Sequence, residues 1–410
     1  MFSPRATIQA KRAVRALLQN IHLIHPHHHQ NLPGRQYATS LRNAKGQPFR
    51  APSVLKKSRT TSNPTTHRQL FQESDIPALK LIQDFLSHPE QRLYRCISAE
   101  ECRDVALRFA SVARGPKESP AWKGALLRDH NIDPRTLYCA AIPLIAPQGG
   151  LGNIGNYMLM TASSLGYTPA TLSLIRSLLD ASDELFPRLK ANLGDAVVRF
   201  IQLVRTERSP DVLTLRGLWL LREGHSDAYA LKYFDQALEA ARRIPDGDAD
   251  RQHTQQQQQQ QRTASTRDPR WTFEGSCHLK RGLILARQGR TDEAIASFKV
   301  VALELDLADG YVELAKLLPP DAPERESYLL RAAQSGNSEA CRLLALDMAE
   351  KAANPRLPWS DRSDAAGMAH EWSQVVVDPK GREELAAQVA EKAKAVFTGA
   401  QSGFLWKLAG

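Results

Sequence analysis

Few side chains in this sequence stand where their type and spacing could do chemistry, and each such grouping lacks something that chemistry needs. His25, His27, His28 and His29 cluster around Pro26 and offer imidazoles to a metal ion. They lie in a segment that the sequence marks for removal. Asp246, Asp248 and Asp250 alternate in a polar stretch, but the glycine and the terminal glutamate of a calcium loop are misplaced there. Residues 149–155 read GGLGNIG. They lack the Gly-Lys-Ser/Thr of a phosphate loop and follow no strand, so they read as a helix–helix connection rather than a nucleotide site. The five cysteines, at 96, 102, 139, 277 and 341, form neither CxxC nor twin CX9C pairs, which leaves buried single thiols as the expectation. Outside the His25–His29 cluster, nucleophile–base pairs, paired carboxylates and His-x3-His spacing do not occur beyond chance. His225, behind Gly224, reads as a surface turn residue. The expectation is a protein that is not an enzyme, with no catalytic residue, cofactor or metal.

The elements that would position any site read as helices. Apolar residues make up 42% of the chain, enough for a sizeable core, and aromatics only 7%. Leu and Ala, strong helix formers, dominate. From Ile76 onwards the apolar spacing is helical, as at Leu79, Ile82 and Phe85. Ser98 followed by Glu101 has the form of a capping box ahead of Val105, Leu107, Ala110 and Val112. Residues 113–121 read as a loop. A helix is expected over Tyr157–Leu165, stopped by Gly166, with Thr168-Pro169 opening the next. No alternating β-branched run argues for a sheet. No apolar run reaches the ~20 residues that span a bilayer.

The net charge of +10 is unevenly spread. Twelve Lys or Arg and no acid precede Glu73, so the remainder of the chain carries a net −2. A nucleic-acid-binding body should hold a basic face of its own, which makes nucleic acid an unlikely partner. Residues 1–20 place Ile8, Val14, Leu17 and Leu18 near one helical face and Lys11, Arg12 and Arg15 towards the other. That amphipathic, acid-free start is the physical form of a mitochondrial presequence. Arg35-Gln36-Tyr37-Ala38-Thr39-Ser40 resembles a matrix processing site, with cleavage after Tyr37. The expected organisation is a presequence over 1–37, a disordered basic arm over 38–72 and a helical region over 76–205. Helical repeats over 211–400 follow, interrupted at 244–270 by a disordered insert holding seven consecutive Gln.

The repeats carry the inference. Gly282, Leu285, Gly289, Ala294 and Phe298 lie at offsets 0, 3, 7, 12 and 16. Gly217, Leu220 and Gly224 repeat the first three, and Ala230, Phe234 and Ala237 follow with one residue inserted. This pattern resembles the tetratricopeptide repeat (TPR). In that family a small residue lets one helix meet the next, a glycine turns the chain, and Ala with a later aromatic fills the seam. His278 and Arg281 stand where the family has Trp and Leu. Residues 324–348 resemble the related Sel1-like repeats, with Tyr328 at the aromatic position, Ala332-Ala333 at the small pair, Gly336 at the turn, and Ala340 with Leu344 beyond it. Ala369 and Trp372 match the Ala-x2-Trp of a further helix, Arg325 replaces the usual Ala, and residues 308–318 would supply the preceding helix.

The resemblance implies an all-α fold, a right-handed α-solenoid of antiparallel helix pairs. It implies protein binding in a groove, where Arg222 and Arg287 take matching positions five residues after Gly217 and Gly282. Two guanidinium groups there could hold a carboxylate-bearing peptide. The expected function is a mitochondrial scaffold, adaptor or assembly factor, in the matrix or on the matrix face of the inner membrane, with respiratory-complex subunits among its candidate partners. Organellar RNA binding and an enzyme built on residues 76–205 stay open as alternatives. Phe404, Leu405 and Trp406 read either as a cap on the last helix pair or as a docking peptide.

Overall fold

The computed structural model describes residues 70–87, 97–114, 121–145, 152–243, 266–376 and 379–394. The presequence, the Tyr37 site, the histidine cluster, the Gln run and Phe404–Trp406 lie outside the described residues. The described residues are all-α, with seventeen α-helices and no strand among them. They divide into two compact units that part at the end of one helix, between Ala241 and Arg242. That boundary falls beyond the 205–211 junction expected from the sequence, and it puts the two TPR-like motifs into different units.

The first unit begins with a residue assigned to the basic arm. Phe71 is 5% exposed, and its ring lies 5.5 Å from that of Tyr157 and 6.4 Å from that of Phe109. Its helices are α1 (Leu79–Ser87), α2 (Ala99–Val112), α3 (Ala121–Arg128), α4 (Pro134–Ile145) and α5 (Gly152–Ser164). Then come α6 (Thr168–Leu179), α7 (Phe186–Asn192), α8 (Gly194–Thr206), α9 (Pro210–Arg222) and α10 (Asp227–Arg242). The capping box at α2 is formed: Ser98 Oγ accepts from the Glu101 N–H at 3.1 Å, and the Ser98 N–H donates to Glu101 Oε2 at 2.9 Å. These bonds satisfy two donors that a helix start leaves open.

Helix α5 corrects the reading of the glycine-rich stretch. It starts at Gly152 rather than Tyr157, so Gly155 lies inside a helix and not in a connection. Its role is close packing: a β-carbon there would meet Ile145 Cγ1 at 2.8 Å and the Ala141 carbonyl at 2.9 Å. A glycine that breaks helices in isolation is here the residue that lets α5 lie on α4.

Cys102, Cys277 and Cys341 are buried free thiols as expected, and burial pushes Cys102 and Cys341 up to about 12. Cys139 departs from that expectation. It is disulfide-bonded, to a partner that is not among the described residues.

The second unit holds α11 (Glu274–Arg287), α12 (Thr291–Lys299), a π-helical turn (Val300–Glu304), α13 (Ala308–Lys316), α14 (Pro323–Gln334), α15 (Ser338–Ala353), α16 (Trp359–Val375) and α17 (Pro379–Lys394). Each helix from α12 to α17 packs against the one before it in the chain, and α15 also packs on α17. Helix α13 supplies the element expected at 308–318. Ala369 and Trp372 are buried in α16. Arg325, the departure from the Sel1-like pattern, lies against Asp347 of α15 through paired bonds of 2.9 and 3.1 Å. It also donates to the carbonyls of Ala315 and Leu318 at the end of α13. One guanidinium thus joins three helices and satisfies carbonyls that a helix end leaves open. Residues 266–270, assigned to the insert, belong to this folded unit.

Candidate functional site

The residues singled out by the repeat pattern form the same small device twice. A β-carbon on Gly217 would stand 2.6 Å from Phe234 Cε1, and one on Gly282 would stand 2.5 Å from Phe298 Cε1. Each glycine therefore receives the aromatic ring of the next helix on its bare face. Ala230 and Phe234 in the first motif are fully buried, and so are Ala294 and, at 1% exposed, Phe298 in the second.

The turns between the paired helices share a backbone form. Gly224, Gly289 and Gly336 have φ of 76°, 74° and 78°, the left-handed region that penalises a side chain. The residue after each glycine donates its N–H back across the turn, His225 to Leu220, Arg290 to Leu285 and Asn337 to Ala332. This is the Schellman closure of a helix end. Only one residue separates Gly289 from α12 and Gly336 from α15, whereas His225 and Ser226 both separate Gly224 from α10. The residue inserted in the first motif is thus absorbed in the turn. His225 is exposed there, as expected of a turn residue. At the third turn, Asn337 accepts from the Ala340 N–H at 3.0 Å and caps α15. Ala332 and Ala340 are fully buried. Tyr328 is half-buried with its ring 5.8 Å from that of Tyr311.

The two arginines read as groove cations have different surroundings. Arg222 donates to the Ala181 carbonyl at 2.8 Å, pairs with Asp183 at 2.7 Å, and lies 4.9 Å from the Phe186 ring centre. Beside it Lys190 pairs with Glu223 at 2.6 Å and stacks over Trp219 at 5.2 Å. Burial opposes the charge of Glu223, but the Lys190 ammonium together with a hydrogen bond from Trp219 and the charge of His225 outweighs it, so this carboxyl is held below its ordinary value. Arg222 is therefore committed to tying the 181–186 stretch to α9. Arg287, at the end of α11, is exposed. The unit boundary runs between these two arginines.

A polar cluster that the sequence did not reveal gathers at the start of α11. The Glu274 side chain is only 2% exposed. It accepts two bonds from Arg267, at 2.8 and 3.0 Å, and one from the Arg270 N–H at 2.6 Å. Arg267 also donates to Glu304 Oε2 at 2.9 Å, while its own N–H donates to the Glu304 carbonyl at 2.8 Å. A buried carboxylate needs such company. The carboxylates in turn hold the Arg267 guanidinium above its ordinary value. Next to them the Trp271 and His278 rings lie 6.3 Å apart. Burial depresses His278 to about 4, so it is neutral at physiological pH. The cluster brings together residues 30 positions apart along the chain (Glu274 to Glu304), and no local motif announces it.

These groupings stabilise helix contacts; none of them aligns a nucleophile with a base. Among the described residues no three His, Cys, Asp or Glu side chains are grouped to hold a metal ion. No helix there is long and apolar enough to cross a membrane. Compared with family models, curated proteins and solved structures, the chain matches none.

Proposed function

We propose that this chain is a non-enzymatic scaffold, an adaptor or assembly factor, built as a right-handed α-solenoid of TPR- and Sel1-like helix pairs that presents a surface to other proteins. The observation that carries the reading is the recurrence of one device. Gly217 with Phe234 and Gly282 with Phe298 make the same glycine-on-ring contact, each with a left-handed glycine turn between. A helix pair of this kind leaves an apolar flank for its neighbour, which is the logic of stacked repeats. The neutral body after the basic leader favours protein over nucleic acid as the ligand.

The acid-free, amphipathic N-terminus supports a mitochondrial address, with processing after Tyr37. The reading extends to the matrix or the matrix face of the inner membrane, and to respiratory-complex subunits as partners. Arg222 and Arg287 stay the groove residues of this reading, and Arg222 also serves Asp183 and the Ala181 carbonyl.

The test is affinity purification of tagged full-length protein from isolated mitochondria, with and without nuclease, followed by mass spectrometry. Recovery of a nuclease-resistant set of subunits from one complex supports the scaffold. Loss of the set on nuclease treatment replaces it with RNA binding. Absence of the protein from mitochondria overturns the address.

A further inference from the structure

Helix α8 buries one face and leaves the other bare. Ala196, Val197, Phe200 and Leu203 point into the first unit, where α8 packs against α5, α6, α7 and α9. On the opposite side Val198 is 58% exposed and Ile201 is 40% exposed. Two branched apolar side chains one turn apart, on a helix already held on its other side, form a short seam rather than a scatter of surface residues.

The charges on this face are arranged symmetrically about the seam. Asp195 and Arg205 are both exposed, and neither makes an ion pair among the described residues. At ~100° per residue, Asp195, Val198, Ile201 and Arg205 fall within an arc of about 120°. The two charges stand five residues either side of residue 200, close to the midpoint of Val198 and Ile201. Two such helices laid antiparallel with residue 200 against residue 200 bring each Asp195 level with the other Arg205. Val198 and Ile201 then lie within one residue's rise, ~1.5 Å, of level with Ile201 and Val198 of the other copy. The two helix dipoles also oppose. Arg199 does not disturb this pattern, because it is drawn off to the Gly166 carbonyl at 2.6 Å. A face that complements itself under a two-fold axis is what an isologous dimer requires.

We propose that the outward face of α8 is a homodimer contact, with a second copy of this chain as its occupant. One helix on one helix is a small interface, so the association is weak and reversible.

Charge reversal across the two-fold tests it. Sedimentation of the full chain up to about 100 µM, the range of small interfaces, should show the mass rising from 45.6 kDa towards twice that value. Asp195→Arg sets Arg against Arg205 of the other copy, and Arg205→Asp sets two acids together, so each single change should weaken dimerisation about tenfold. The double change restores both pairs with inverted sign and should return the dimer to within about threefold of the original. Val198→Ser with Ile201→Ser should weaken it without changing helix content by circular dichroism. The proposal is overturned by a monomer at every concentration, by a dimer that ignores the single reversals, or by a double variant no better than the worse single.

Discussion

A β-carbon on Gly282 would stand 2.5 Å from the Cε1 of Phe298, closer than any real side chain tolerates. In an open helix, Gly→Ala stabilises by up to about 1 kcal/mol. At Gly282 the ring is 1% exposed and has no room to withdraw, so the contact reverses the sign. Gly282→Ala should destabilise the second unit by about 1–3 kcal/mol, and Phe298→Leu in the same chain should recover part of that. Gly367 in α16 is the control, since nothing lies within 4 Å of its added carbon. Gly367→Ala should be neutral or stabilising. Denaturant midpoints that fall equally for both variants would remove the steric account.

Arg325 and Asp347 form a bidentate pair with side chains only 11% and 16% exposed. Removing one partner strands a buried charge and frees the carbonyls of Ala315 and Leu318. Arg325→Ala should therefore cost about 3–5 kcal/mol. Replacing both residues, Arg325→Met with Asp347→Leu, should cost much less than either change alone, because no unpaired charge remains. Equal losses for the single and double variants in urea unfolding would show that the pair is not coupled.

His278 titrates at about 4 in the folded chain, against 6.5 for a free imidazole, because burial disfavours its charged form and Arg281 adds to that. Glu274 and Glu304 pull the other way and do not prevail. Between those values the unfolded chain binds a proton that the folded chain refuses. The stability is thus fully present above pH 6.5 and is lost progressively as pH falls towards 4. The whole window is worth about 3 kcal/mol. The urea midpoint measured from pH 7.5 to 4.5 should fall more steeply for the wild type than for His278→Gln. Identical slopes would assign the acid sensitivity to other groups.

Cys139 gives the mitochondrial address a redox test. A stable disulfide belongs to an oxidising compartment, whereas the matrix keeps thiols reduced. Alkylation of denatured protein from isolated mitochondria, before and after reduction, reads the state directly. Cys102, Cys277 and Cys341 should label without reductant in either compartment, and the matrix address predicts that Cys139 does so too. Prompt labelling of Cys139 would fit the matrix and dispense with the disulfide. Labelling only after reduction would move the protein to the oxidising intermembrane space.

What could be read from the sequence was whatever is encoded within one helix pair. The glycine, the turn glycine and the aromatic of each motif lie within about two helical lengths, and their offsets follow from helix geometry. The capping box at Ser98 is equally local. Gly155 is not legible in the same way, because a glycine inside a helix and a glycine in a loop differ only in what packs against them, here Ile145 and Ala141. Arg222 took the expected place at the end of α9, but its partners Asp183 and Ala181 come from about forty residues earlier. The Arg267–Glu274–Glu304 cluster was invisible for the same reason. The π-helical turn at Val300–Glu304 left no mark on the apolar spacing around it, yet it carries the glutamate that closes that cluster.

Arg267 follows the glutamine run by only a few residues, and it is clamped from both sides, by Glu274 and by Glu304. Such a clamp acts as strain relief acts on a cable. A pull arriving along the chain from upstream meets two carboxylates before it meets α11, so Arg267 is the point at which the second unit is anchored.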